Sequence, residues 1–200
     1  MKYAEDLIKK YMEDVAGRKP APGGGSVAGL AGAAGTALLE MVCNFTLGND
    51  NYKNHHDNAQ KHLTTLGRIR SNFMIIIDDD IGAYLAINNA IKTKNTKDID
   101  NALRGGYYIS DRACRLSKNA MEIALDLIGK SNPNLITDIG CGTELLRSAF
   151  NSSMFNCGIN LKGIKDVIFV EKETVNTDIL KKETDIIYKK AISGVLEKMR

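Results

Sequence analysis

Three prolines occur in the 200 residues, Pro20, Pro22 and Pro133, and between the last two nothing interrupts the backbone for about 110 positions. Proline removes an amide donor and clashes with the preceding helical turn, so its absence over such a stretch permits long helices, and its presence marks where they stop. The apolar residues repeat accordingly. Tyr3, Leu7, Ile8, Tyr11, Met12 and Val15 follow the rhythm of an amphipathic helix that ends near Gly17. A second helix is expected to start at Ser26, as its N-cap, and to run through VAGLAGAAGTALLEMVCNFTL to Gly48. A long helical stretch from about Asn54 to Ile91 and another from about Lys97 to Gly129 are separated by the polar turn KTKNT. After SNPN comes an apolar segment from about Asp138 to Leu161, then a charged helix within residues 167–199. The VIFV run at 167–170 has local strand character but no partner strand, and an isolated pair would be marginal. The expectation is all-α: a single domain over residues 1–200, a bundle or orthogonal array of about six helices with long central ones.

The second helix, with Glu40 as its one charge, is long enough to span a bilayer. Thr36, Glu40, Asn44 and Thr46, the lack of aromatic belts and the amphipathic remainder argue instead for a buried central helix. Gly29, Gly32 and Gly35 would let its neighbours approach closely. Basic and acidic side chains, 27 and 24, are mixed along the chain with no basic arm, so neither nucleic acid nor membrane is expected as a partner. Cys43, Cys114, Cys141 and Cys157 form no CxxC pair and read as reduced, mostly buried thiols. The first 17 residues lack the apolar core of a signal peptide, which places the protein in the cytoplasm. His55, His56 and His62 cluster without completing a ligand set, so no metal is expected.

Three segments can carry chemistry. In Pro20-Ala21-Pro22-Gly23-Gly24-Gly25-Ser26 the glycines allow close approach of a ligand, and their amides face it from the positive end of a helix dipole, where a carboxylate or phosphate would sit. The alternative is a flexible linker. Asp78, Asp79 and Asp80 fan over about 200° of a helix, so they cannot share one solvent face. Asp80 has Phe73, Ile76, Ile77, Ala83, Tyr84 and Ile87 as its i±3, i±4 and i±7 neighbours. A carboxylate in such an apolar stripe must be paired, hydrogen-bonded or protonated, and burial that raises its pKa suits it to general acid/base work, with Tyr84 on the same face. The alternative is that all three carboxylates are solvated or pair with Arg68, Arg70 and nearby lysines. In the third segment Asp138 precedes an apolar helix as a candidate cap, and Asn156 and Asn160 project from one face, where they need backbone partners or the polar edge of a heterocycle.

The order PAPGGGS, then DDDIGAY, then NPNLITDIG, then NCGINLKGIKD resembles the formiminotransferase-cyclodeaminase and methenyltetrahydrofolate cyclohydrolase family over nearly the whole chain. The resemblance implies an all-helical homodimer with a tetrahydrofolate site near the dimer interface and no cofactor beyond the tetrahydrofolate carried as substrate. It implies chemistry at the carbon bridging N5 and N10, as formimidoyltetrahydrofolate cyclodeaminase or methenyltetrahydrofolate cyclohydrolase. Asp80 and Asp138 are then the catalytic carboxylates, and Gly23, Gly24, Gly25, Ser26, Tyr84, Asn156 and Asn160 bind the substrate. Two positions depart from the family pattern. Gly158 stands in NCGIN where relatives often carry Lys, and Arg115-Leu116-Ser117-Lys118 stands where many have Val-Pro-Leu. The competing reading is a non-catalytic dimeric scaffold or folate-binding protein of the same fold.

Overall fold

A computed structural model describes residues 8–200. Tyr3 and Leu7, assigned above to the first helix, lie outside them. The helices are α1 (Ile8–Ala16), α2 (Gly24–Leu47), α3 (His56–Thr93), α4 (Thr96–Leu127), α5 (Ile136–Gly163) and α6 (Val167–Lys198), and no strand occurs among the described residues. Short 3₁₀ turns, Asp50–His55 and Pro133–Leu135, lead into α3 and α5.

Local chemistry sets most of these boundaries. α3 stops where Lys94 turns left-handed at φ 57°, and the Asn95 side chain then accepts the Lys97 amide at 2.9 Å to start α4. Asp166 accepts the Phe169 amide at 3.1 Å, so VIFV forms the first turn of α6 despite its β-branched residues. The start of α2 differs from expectation. Ser26 is not the N-cap: the helix begins at Gly24 behind Gly23, which has no side chain to cap it. The missing acceptor comes from another helix, because the Ser26 amide, in the first turn, donates to Asp80 of α3 at 2.9 Å.

α2 lies at the centre, packed most extensively on α3 and α5, while α4 packs on α5 and α3, and α6 covers α4 and α5. Small residues make the central contacts possible. A Cβ on Gly32 would stand 2.4 Å from the Phe73 ring, and one on Gly35 would stand 2.8 Å from the Gly142 carbonyl of α5. Leu39, Val42, Phe73, Tyr107 and Phe150 fill the core without solvent contact. Polar residues inside it are satisfied by their own helices: the Thr36 hydroxyl donates to the Gly32 carbonyl and Thr143 to Ile139, each at 2.7 Å. The apolar length of α2 is used within the bundle, since 56% of its most apolar window is buried there.

Candidate active site

The first turn of α2 meets the middle of α3 at Asp80. This carboxylate accepts the Ser26 amide and lies directly over Gly25, where a Cβ would come within 2.0 Å of Oδ1. Any side chain at position 25 would evict it. Burial pushes the Asp80 carboxyl above the ordinary carboxylate range, and the Ser26 amide draws it part of the way back. The arrangement is an acid held by a helix N-terminus, its protonated form favoured by burial and its anion by the amide.

Asp80 opens into a cavity of about 260 Å³ whose wall includes Gly23, Gly24 and Gly25 from the start of α2, Tyr84 one turn further along α3, and Asn156 and Asn160 from the end of α5. Seven of the nine residues singled out in the sequence therefore line one pocket, and Ser26 lies immediately beneath it, fully buried. Asp138 does not join them. It sits in the first turn of α5, 18 residues before Asn156, which is roughly 27 Å along the helix axis.

The three aspartates meet three different surroundings, as their fan requires. Asp79 pairs with Arg112 of α4 at 2.5 Å, Asp80 turns into the cavity, and Asp78 lies on the side of Tyr11. Arg70, a candidate partner in the sequence, is taken by Glu40 at 2.7 Å. Among the described residues, no lysine, arginine or histidine lines the pocket. Position 158, where relatives often carry Lys, faces open space. The Arg115–Lys118 segment does not replace it: it borders a separate groove of about 570 Å³ between α4 and α6. Arg115 is bonded there to Asp111 and Lys118 to Glu183, each at 2.8 Å. That larger groove has its charges paired; the smaller pocket has a carboxylate with no cationic side chain beside it among the described residues.

A profile of the formiminotransferase-cyclodeaminase family matches residues 7–178. The chain belongs to this family. Among curated relatives, the methenyltetrahydrofolate cyclohydrolase of Methylorubrum extorquens is 27% identical, over 97% of this chain and 98% of its own length. The formimidoyltransferase-cyclodeaminase of Rattus norvegicus is 25% identical over 82% of this chain, which matches only 32% of that longer protein. The crystal structure of formiminotetrahydrofolate cyclodeaminase from Thermotoga maritima superposes with a TM-score of 0.94 over 98% of both chains at 24% identity, the same fold throughout.

The pocket of this family member also contains Ala83 and Ile87, known from the sequence only as apolar neighbours of Asp80, and two residues with no sequence assignment, Ile159 and Gly106. Ala83, Ile87 and Ile159 supply apolar wall, and Gly106 of α4 forms the floor under Asn160. A Cβ at Gly106 would lie 3.0 Å from the Asn160 side-chain nitrogen and 3.2 Å from its oxygen. The signal was there, because two adjacent glycines inside a helix, Gly105 and Gly106, each cost about 1 kcal/mol relative to alanine and call for a packing reason. Gly106 has that reason; nothing in the structure explains Gly105.

Proposed function

We propose that this chain is a folate one-carbon enzyme acting at the carbon that bridges N5 and N10 of tetrahydrofolate, as a formimidoyltetrahydrofolate cyclodeaminase or a methenyltetrahydrofolate cyclohydrolase. The observation that carries the reading is Asp80: a partly desolvated carboxyl, clasped by a helix N-terminus, opening into a pocket lined by no cationic side chain among the described residues. Both candidate substrates carry an amidine-type carbon that is positively charged when protonated or bridged, and a lone carboxylate complements it. The full-length similarity to a cyclohydrolase supports the same reading.

In the cyclohydrolase direction, ionised Asp80 takes a proton from the water that adds to the methenyl carbon and returns it to N5 as the C–N5 bond breaks; the hydroxyl left on that carbon gives up its proton to solvent, so that its C–O bond becomes the carbonyl of the formyl group on N10. In the cyclodeaminase direction, N10 adds to the formimino carbon and loses its proton while ammonia leaves as the protonated amine. Either path needs a group that alternates between acid and base, and a carboxyl raised by burial while an amide steadies its anion is suited to it. Asn156 and Asn160 supply the donor and acceptor atoms that would fix the pterin edge. At about 260 Å³ the pocket holds only the reacting end, and the rest of the ligand lies along the rim at Tyr84 and Ile159, which are 40% and 64% exposed. Gly23 and Gly24 present open backbone to it.

The remaining expectations form part of the same proposal: a cytoplasmic homodimer with no resident cofactor. An apolar stripe on α2, with Leu30, Ala34, Leu38, Met41 and Phe45 at helical spacing and partly or wholly exposed, supports a second copy as its cover. The functional test uses both substrates in parallel. Ammonia release from formiminotetrahydrofolate marks the cyclodeaminase, and loss of the methenyl absorbance marks the cyclohydrolase. Asp80→Asn should lower either rate by about 10²–10⁴-fold with little change in folate affinity. Turnover of neither substrate by the wild type would leave the scaffold reading in its place.

A further inference from the structure

α1 is a short surface helix whose buried residues are Tyr11 and Asp14. Tyr11 is 3% exposed and reaches α2, where its hydroxyl lies 2.9 Å from the Ser26 hydroxyl. Ser26 is thus held from two sides: its side chain meets Tyr11 and its amide meets Asp80. The two residues before it are Gly24 and Gly25, which restrain the backbone least of any residue. A helix start of this kind does not fix its own rotation, so the direction of the Ser26 amide depends on what grips Ser26 from outside.

We propose that Tyr11 is a positioning residue for Asp80, acting through Ser26: its hydroxyl fixes the first turn of α2 so that the Ser26 amide points at the carboxylate. This rests on the reading of Asp80 as the acid/base group. Three features connect the residues. Asp80 packs against the bare backbone of Gly25, where a Cβ would lie 2.0 Å from Oδ1, so the first turn of α2 and the carboxylate are in direct contact. Tyr11 senses the carboxylates, since burial raises its own pKa and the charges of Asp80 and Asp78 add to that, partly offset by the Ser26 hydrogen bond. Among the described residues, the other polar groups around this contact are Asp78 on the side of Tyr11, Asp79 paired with Arg112 of α4, the amides of Asn156 and Asn160 from α5, and Tyr84 at the rim.

The test is a ¹³C-carboxyl NMR titration of Asp80, assigned by its loss in Asp80→Asn, in the wild type, Tyr11→Phe, Ser26→Ala and the double variant. The amide bond lowers the Asp80 pKa, so a misdirected amide should raise its midpoint. Tyr11→Phe and Ser26→Ala should raise it equally, and the double variant should go no further, the mark of one shared path. In turnover assays the basic shift should appear in the kcat profile, with kcat down about 10- to 100-fold, the scale of an ångström-sized misplacement, and KM within about twofold. An unchanged midpoint, or shifts that add, would overturn the proposal. If Tyr11→Phe loses its helical circular dichroism, Ser26→Ala, which keeps the amide, decides alone by the same criterion. If the wild type turns over neither substrate, the enzymatic reading fails while the titration still decides the role of Tyr11.

Discussion

At Gly25 the pocket depends on the absence of one carbon atom. Gly25→Ala places that carbon 2.0 Å from the Asp80 carboxylate and should abolish turnover to the level of Asp80→Asn, whereas Gly24→Ala, with nothing within 4 Å, should leave stability unchanged or slightly improved; thermal melts and rates on both variants check this. Asp80 also imposes a pH-dependent cost. Its folded pKa is raised, so the native state holds the proton more tightly than the unfolded chain, and stability falls as pH rises from the ordinary carboxylate value through the folded one. Asp80→Asn removes that cost while keeping an acceptor for the Ser26 amide. Its denaturation midpoint relative to wild type should therefore climb as pH is raised above the ordinary carboxylate value. Asp80 was legible in the sequence because helical spacing alone put it among Phe73, Ile76 and Ile77. Gly25 could not be told from Gly23 or Gly24, since what distinguishes it is a side chain 55 positions away.

Between elements, the same close approach recurs without chemistry. Gly32→Ala and Gly35→Ala would force Phe73 or the Gly142 backbone aside and should each cost about 1–3 kcal/mol in urea melts, the scale of overpacking a tight core. At the other end of the α3–α4 contact, Asp126 accepts hydrogen bonds from His62 at 2.8 Å and Asn58 at 3.0 Å, and pairs with Lys130. Burial alone would raise this carboxyl, but those three donors outweigh it and hold it at about 2, so it is an anion at neutral pH and His62 donates through Nε2. Its contribution is present above the unfolded carboxylate value and lost as pH falls toward 2. Asp126→Asn should lower the melting temperature at pH 7, with the difference from wild type shrinking below pH 4. The helices themselves were readable from proline placement and apolar period. The start of α2 was not, because Ser26 looks like a cap, and the true acceptor belongs to α3, beyond the reach of any local pattern.

For the molecule as a whole, four helices converge on one end: the start of α2, the second half of α3, the first half of α4 and the end of α5. Asp138 lies toward the opposite end of α5, a separation that the order of the motifs along the chain does not reveal because it carries no distances. Sedimentation equilibrium at micromolar concentration should give about twice the 21.9 kDa chain mass, and Leu38→Glu on the exposed stripe of α2 should return the monomer; a wild-type monomer would remove the proposed cover for that stripe. The bond from Ser26 to Asp80 ties the helix start to the acid, and this makes one amide proton an internal reporter. Any ligand that draws the carboxylate into the pocket releases that amide to solvent. Its deuterium exchange should then quicken while the buried amides further along α2 keep theirs, so that occupancy of the site can be followed at a single backbone position without observing the reaction.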